Sequence, residues 1–217
     1  MSTASGSRLA ILNRIRSAKG DSADAPEPSY AEIKRSYVRA GLLSEEKRIE
    51  LMIERLREYD AEVVETKPDA LVAMIAQQLE ASGRHVFVAP EGLPQEWLAD
   101  GFDWKIDKGL STAEIEKTEG VVTAAFCGIA DSGTIVLHHS PVEGRRVISL
   151  LPDWHLCILR AGQVVETFPE YVARCAAAPA LATYISGPSA TADIEMTRIK
   201  GVHGPRFLHV IVVRDGP

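Results

Sequence analysis

The run Phe207–Val213 reads FLHVIVV, seven nearly unbroken apolar residues. A strand of this composition is buried on both faces, which is typical of a parallel sheet covered by helices on each side. Upstream of it, short β-branched runs at residues 61–66 and 84–89 predict strands. Amphipathic segments that begin after Ser44 and at Pro68 predict helices. This alternation predicts right-handed β-α-β units, and therefore an α/β fold.

From Gly120 onward the pattern changes to short apolar runs separated by turns. Runs spaced this closely predict hairpins. We therefore expect a mixed β-sheet flanked by helices, to which the second half contributes antiparallel strands. The runs lie at residues 121–126, 134–138, 146–150, 155–159 and 164–165.

The first 29 residues predict an N-terminal helical arm and a linker. Leu9, Ile11, Leu12 and Ile15 lie at near-helical spacing, and residues 20–29 contain two prolines but no apolar period. We predict one α/β domain over residues 30–217. The arm is either mobile or docks on another subunit.

Composition excludes several classes of protein. Of 217 residues, 46% are hydrophobic and the net charge is −6, which fits a soluble globular protein without the basic stripe that nucleic-acid binding requires. No secretory signal and no apolar run of about 18 residues occurs, so we expect a cytoplasmic protein without a membrane span. Three widely spaced cysteines without a CxxC motif predict neither disulfides nor an iron–sulfur cluster in this chain.

The first candidate site is the glycine-bounded turn GIADSGT at residues 128–134. Its glycines let backbone N–H groups converge, and Ser132 and Thr134 flank Gly133 with hydroxyls. Such a loop could cradle an anion or a carboxylate. The alternative is a tight turn in which Asp131 bonds its own backbone.

The second candidate is SGPSATADIE at residues 186–195, where a strand gives way to a predicted helix. The N–H groups of a helix start attract anions. Asp193 would repel a phosphate there. It therefore either caps the helix, acts as a catalytic residue or binds a cation. Simple capping is the alternative. The candidate ligand contacts are Ser186, Gly187, Ser189 and Thr191.

The third candidate is His203, which stands in the sequence GVHGP just before Gly204. A histidine among glycines lacks packing neighbours in its own segment and is able to donate, accept or bind a metal near a cleft. We take His203 and Asp193 as the candidate catalytic residues and Gly204 as a ligand contact. The alternative is a hydrogen bond that braces the loop. No recognised metal spacing occurs, so no metal site is predicted.

Three other histidines are expected to make structural hydrogen bonds. His138 and His139 are adjacent at a strand end, so at most one of them faces any given site. His155 lies at the start of a strand and could face the same rim.

Four segments together closely resemble the lactate utilization protein C family, the LUD-domain proteins. They are GIADSGTIVL, RRVISLLPDWHLCILRAGQVV, ISGPSATADIE and GVHGPRFLHVIVV, and the resemblance covers about residues 30 to 214. Two positions depart from the family pattern. Ser132 stands where threonine is more usual, and Ala190 stands where a basic residue is common, which weakens an anion pocket.

The resemblance implies a fold like the NagB/RpiA/CoA-transferase group. It also implies a non-cluster subunit of a cytoplasmic iron–sulfur system that oxidises L-lactate to pyruvate, with iron–sulfur subunits as partners. The turn at residues 128–134 makes a small carboxylate the candidate ligand. It names no cofactor and assigns no catalytic residues, so it does not decide whether this chain is an enzyme. One alternative is a stand-alone enzyme acting on a small acid, a CoA ester or a nucleotide-activated substrate. Another is an assembly module that docks through its arm.

Overall fold

The computed structural model describes residues 4–19, 32–34, 36–187 and 204–214. The chain divides into two compact units, residues 1–37 and 38–217. The first unit contains the predicted helix, α1 (Ala4–Lys19). The predicted division at residue 29 falls among residues outside the description and stays a prediction.

Six parallel strands form the central sheet of the second unit. Across the sheet they run β1 (Glu62–Thr66), β10 (Phe207–Val213), β7 (Trp154–Arg160), β4 (Gly120–Ala124), β2 (Val86–Pro90) and β3 (Asp103–Asp107). The run that predicted a strand buried on both faces is β10. It pairs with β1 on one side and β7 on the other, and Val210–Val213 are buried. The α/β prediction is confirmed.

The antiparallel strands are confined to a second, smaller sheet. Its order is β8 (Val164–Val165), β5 (Cys127–Ile129), β6 (Thr134–Leu137) and β9 (Thr183–Ile185). Among the described strands, only β5 and β6 form the predicted kind of hairpin, and β6 also pairs antiparallel with β9. The hairpin prediction is wrong for β4 and β7, each of which is parallel to both of its neighbours in the central sheet.

The apolar run at residues 146–150 is not a strand. Arg146–Ser149 forms a 3₁₀ helix, and Ile148 packs with Val88, Ile115 and Val121. A short apolar run does not by itself distinguish a strand from a turn of buried helix, and tertiary packing decides between them.

Helices cover both faces of the central sheet. α2 (Glu45–Glu58), capped by Ser44 as predicted, packs on one face together with the inner side of the smaller sheet. α3 (Leu71–Ser82) lies on the other face and ends at Gly83, which adopts a left-handed conformation. The short helix α4 (Thr112–Ile115) follows β3, and α5 (Phe168–Arg174) covers the outer side of the smaller sheet.

The edges at which the central strands begin and end carry different groups. Residues 138–146 cross the carboxyl edge. There the Val142 carbonyl oxygen accepts from the N–H of Ala124, the last residue of β4, and the Pro141 carbonyl oxygen accepts from Gly92 N after β2. At the amino edge, the β5–β6 turn lies against Tyr59, which ends α2 just before β1. Parallel α/β sheets usually bind ligands at the carboxyl edge.

Candidate functional site

Three hydroxyl side chains form a hydrogen-bonded chain where the β5–β6 turn meets the end of β9. The Ser132 Oγ and Thr134 Oγ1 atoms are 2.9 Å apart, and Thr134 Oγ1 donates to Ser186 Oγ at 3.1 Å. Thr134 is buried and Ser186 is exposed, so the chain of hydroxyls reaches the surface at Ser186. The structure thus brings together Ser132, Thr134 and Ser186, which come from two separate candidate segments.

Two glycines allow α2 to approach this hydroxyl chain closely. Gly133 has a φ of +62°, and a Cβ there would lie 2.6 Å from Arg55 Cβ. A Cβ on Gly187 would lie 1.9 Å from the Tyr59 ring. The Tyr59 hydroxyl donates to Ser132 O at 2.8 Å. The end of α2 therefore forms one wall of the candidate site and leaves no room for a side chain at either glycine.

Three backbone N–H groups of the turn already have partners. Ala130 N donates to Val165 O at 2.9 Å, Asp131 N to Glu166 O at 3.0 Å and Gly133 N to Ala130 O at 3.3 Å. These three groups are not available to an anion, which leaves the Ser132 N–H and the side-chain hydroxyls as donors near the turn.

The direction of the hydrogen bonds leaves the Ser186 O–H without an acceptor among the described residues. Thr134 donates to Ser186, so Ser132 must be the donor to Thr134. Ser186 then keeps its own O–H for a further acceptor, since no acceptor for it lies among the described residues. A carboxylate or carbonyl oxygen is the kind of acceptor that such a hydroxyl recognises.

The other proposed residues divide between described and undescribed segments. Ser189, Thr191, Asp193 and His203 lie outside the described residues. Gly204 is described and precedes β10, and among the described residues a Cβ there would meet only the Leu150 side chain, at 3.9 Å.

His138 and His139 lie at the carboxyl edge, away from the hydroxyl chain, and both make the expected hydrogen bonds. The His138 ring stacks on Phe126 with centroids 3.7 Å apart, and its Nε2 lies 2.9 Å from the Tyr171 hydroxyl. Burial lowers the pKa of His138, although the nearby Glu143 carboxylate opposes this shift. The Tyr171 hydroxyl also lies 3.1 Å from that of Tyr184, which extends this chain toward solvent.

His139 has its tautomer fixed by its partners. Its Nδ1 lies 2.9 Å from the Gly144 carbonyl oxygen, which only accepts, so Nδ1 carries the hydrogen. In the neutral ring, Nε2 then accepts from the Thr183 hydroxyl at 2.8 Å. The residue has a φ of +59°, in the left-handed region that few residues other than glycine adopt.

His155 does not face a rim. It lies in the interior on β7, with Nε2 2.8 Å from the Thr123 hydroxyl, and burial lowers its pKa to about 4. Its Nδ1 has no hydrogen-bond partner within the described part of the chain. The ring is therefore neutral at pH 7, and its hydrogen bond is structural, as expected.

The sequence analysis missed the polar groups that close the carboxyl edge. Glu143 is buried and accepts from Ser140 Oγ at 2.6 Å and from the backbone N–H of His138. The signal for it is the Ser-Pro-x-Glu sequence at residues 140–143, a variant of the pattern that marks capping boxes.

Asp107 and Arg145 form a second missed pair. Arg145 Nε and Nη2 donate to the Asp107 carboxylate at 2.8 and 2.5 Å. Burial alone would raise the pKa of Asp107, but the bonds from Arg145, Gly109 N and Leu110 N outweigh it and hold that pKa below its usual value. No spacing rule connects residues 38 apart, so only the fold shows this pair.

The cysteines behave as small apolar residues. Cys127 and Cys157 are buried, Cys175 is half-buried and none forms a disulfide. Burial raises the pKa of the Cys127 thiol, and it raises that of Cys157 to about 12. Across the described ranges, no three His, Cys, Asp or Glu side chains are grouped so that they could hold a metal ion. Nor does any helix in those ranges have the length and apolar character needed to cross a membrane.

The sequence matches the family model described as the LUD domain over residues 49–213. It is also similar to a Deinococcus radiodurans protein named lactate utilization protein C. The two are 36% identical over 209 residues, which are 94% of this chain and 93% of that protein. A Bacillus licheniformis protein of the same name is 29% identical over 94% of this chain and 95% of its own length.

The fold is similar to a solved structure as well. That structure is described as a DUF162 family protein from Deinococcus radiodurans, and the two superpose with a TM-score of 0.69 at 36% sequence identity. The match covers 79% of this chain and 99% of that one.

Proposed function

Because the chain belongs to the LUD domain family, we propose that it is the non-cluster subunit of a cytoplasmic iron–sulfur system that oxidises L-lactate to pyruvate. The observation that carries this proposal is the similarity to a protein named lactate utilization protein C. That similarity extends over 94% of this chain and 93% of the relative, so it relates whole proteins and not one shared segment.

The cysteine chemistry supports a partner role for this chain. Iron–sulfur clusters are held by several cysteine thiolates. All three cysteines of this chain are described, and two of them are buried with raised pKa values, which disfavours the thiolate. Electron transfer through clusters would then take place in other subunits of the system.

We place the ligand of this subunit at the hydroxyl chain of the amino edge. Ser186 would donate to an oxygen of a small carboxylate, while Ser132 and Thr134 hold its hydroxyl in position. Gly133 and Gly187 admit the wall formed by α2. Ser189, Thr191 and Gly204 are the further proposed contacts, and His203 and Asp193 the proposed catalytic residues.

The test of the role is genetic and biochemical. Deletion of the gene should abolish growth on L-lactate while leaving growth on glucose intact, and the tagged protein should copurify with iron–sulfur subunits. Normal growth of the deletion strain on L-lactate would contradict the proposal.

The test of the ligand site uses matched threonine variants. L-Lactate or pyruvate should raise the Tm of the wild type, because a ligand that binds only the folded state stabilises it. Thr134→Val should remove this rise. Thr118→Val should keep it, since Thr118 is another buried threonine whose hydroxyl bonds only locally, to Ile115 O at 2.6 Å. An equal rise in both variants would place the ligand elsewhere.

The second candidate function is a stand-alone enzyme acting on a small acid, a CoA ester or a nucleotide-activated substrate. The observation that favours this candidate is the Ser186 hydroxyl. A single O–H donor can bind an acceptor oxygen of any of these compounds. Turnover of such a substrate by the purified chain without other subunits would establish this alternative.

A further inference from the structure

Helix α1 differs in charge from the rest of the chain. It contains four basic residues, Arg8, Arg14, Arg16 and Lys19, and no acidic residue. The whole chain has 24 basic and 30 acidic residues, so 20 basic and 30 acidic residues remain outside α1. A basic segment on an acidic protein is a sign of electrostatic recognition and not of general solubility.

The apolar side chains of α1 are exposed. The exposed fractions are 55% for Leu9, 58% for Ile11, 37% for Leu12 and 50% for Ile15. An isolated helix of about 12 to 15 residues is only marginally stable in water, even when its residues favour helix. This helix also contains β-branched residues and Gly6, which favour it less. A partner that covers these side chains would stabilise the helix.

The apolar and basic side chains of α1 share one face. At about 100° per residue, four apolar residues and two arginines fall within one half of the helix circumference. We call this half the basic–apolar face. The opposite half holds small or polar residues and Arg14. The basic–apolar face includes Arg8, Leu9, Ile11, Leu12, Ile15 and Arg16, and by the same geometry Lys19.

This arrangement identifies the chemistry of the partner. A helix that lies on a membrane separates its cations from its apolar residues, so that only the apolar face is buried. In α1 both arginines lie between apolar residues and would be buried with them. A surface that accepts both has carboxylates set among apolar side chains, because arginine forms bidentate bonds with carboxylates at protein interfaces. Such a surface belongs to a protein.

We propose that the basic–apolar face of α1 docks on an acidic, apolar-lined surface of an iron–sulfur subunit of the lactate-oxidising system. The proposal rests on the function proposed above, and it names the element by which this subunit joins the complex. Charge complementarity steers the encounter, and the apolar side chains between the arginines supply the buried area.

The experiment compares charge reversals on the two faces of α1. The full-length chain is titrated into the purified iron–sulfur subunits, and the Kd is measured for the wild type, Arg8→Glu and Arg14→Glu. Both variants make the same change in the same helix, so helix propensity and net charge are matched. Arg8→Glu should raise the Kd at least tenfold, and Arg14→Glu should change it by less than twofold.

A second pair of variants tests the apolar contribution. Leu12→Ser on the basic–apolar face should raise the Kd at least fivefold, while Ala10→Ser on the opposite face should leave it unchanged. An increase in salt should raise the Kd of the wild type more than that of Arg8→Glu. Salt screens the attraction between Arg8 and its partner, and the variant has already lost that attraction.

Four results would overturn the proposal. Equal effects of Arg8→Glu and Arg14→Glu would show that no face is recognised. Wild-type binding that survives all four substitutions would remove α1 from the interface and leave the proposed function intact. No binding by the wild type would remove the proposed function as well. Arm-dependent dimerisation, or binding to phosphatidylglycerol vesicles without binding to the subunits, would identify a different partner.

Discussion

The amino edge and the carboxyl edge of the central sheet use polar side chains in opposite ways. At the carboxyl edge, buried carboxylates are matched by donors of the same chain: Glu143 by Ser140 and the His138 N–H, and Asp107 by Arg145. At the amino edge, Arg206 and Asp153 form an ion pair near the surface. The polar groups beside the β5–β6 turn are uncharged hydroxyls in series, and the last of them, on Ser186, is exposed.

This difference indicates which edge is available to a ligand. The carboxyl edge is the usual binding location on a parallel sheet, but residues 138–146 of this chain cross it. Displacing that loop would leave buried carboxylates without their donors, which is costly. At the amino edge no described residue accepts the Ser186 O–H, so the proposed ligand would bind there without displacing a described partner. The four predictions that follow test whether the two edges differ in this way.

The largest expected effect is that of a methyl group at Gly133. Gly133→Ala should cost about 3 kcal/mol of unfolding free energy, because the left-handed backbone is strained and the new Cβ meets Arg55 Cβ. At the carboxyl edge, Gly144→Ala should cost less, since its neighbours are the ends of the Ile148 and Pro90 side chains.

The control for both glycine variants is Gly83→Ala, which has a φ of +66° and nothing within 4 Å of the new Cβ. It should cost about 1 kcal/mol, the backbone contribution alone. Urea denaturation measures all three variants. Equal costs at Gly133 and Gly83 would show that α2 does not constrain the amino edge.

The next effect is the pH dependence conferred by His155. Its pKa falls from 6.5 in the unfolded chain to about 4 in the folded protein, so the unfolded state binds the proton more tightly. Stability is therefore complete above pH 6.5 and falls by about 3 kcal/mol as the pH drops toward 4. His155→Gln should flatten this part of the profile. His85→Gln, at an exposed position, should leave it unchanged, and a wild-type profile that is flat between pH 6.5 and 4 would contradict the assignment.

Removal of the Arg145 side chain tests the charge pair of the carboxyl edge. Arg145→Ala should cost about 2 kcal/mol at pH 7, because the buried Asp107 carboxylate loses charged donors. Asp107 has a lowered pKa, so its contribution is present above its unfolded pKa of 3.8 and is lost as the pH falls through the folded value. The difference between wild type and variant should therefore shrink in acid.

A matched exposed pair on the same strand provides the control for Arg145→Ala. Lys105 bonds Asp103 at 3.0 Å on the surface, and Lys105→Ala should cost less than about 0.5 kcal/mol. A constant difference between wild type and Arg145→Ala from pH 7 to pH 3 would show that the carboxylate charge is not involved.

The smallest effect compares the middle members of two hydrogen-bonded series. Tyr171 lies between His138 and Tyr184 at the carboxyl edge. Thr134 lies in the middle of the hydroxyl chain at the amino edge. Tyr171→Phe should cost about 1.5 kcal/mol, because His138 Nε2 loses its partner in a partly buried site. Thr134→Val should cost about 0.5 kcal/mol, since water can reach Ser186. Tyr184→Phe, at the exposed end of the series that runs through Tyr171, is the control and should change stability least. A larger cost for Thr134→Val than for Tyr171→Phe would mean that the hydrogen bonds of the amino edge contribute more to stability than those of the carboxyl edge.

The candidate site was predictable only in part. The hydroxyls of Ser132, Thr134 and Ser186 were identifiable because their segments are dense in glycine, and the structure brings them together. The wall formed by Tyr59 was not identifiable, since it depends on where α2 ends relative to a turn some 70 residues later. The structural hydrogen bond expected of His155 is present, but the sequence did not decide which way its ring faces, because a strand residue near a turn can face the core as readily as the solvent.

The sequence by itself determined the strand Phe207–Val213, the cap of α2 and the α/β class. These depend on local patterns, because the apolar run and the cap at Ser44 each act over a few residues. The tertiary structure alone decided that β7 joins the parallel sheet, that Arg146–Ser149 is helical and that Asp107 meets Arg145. Those outcomes depend on which distant surfaces bury each other, and the periodicity of a short apolar run carries no information about its partner.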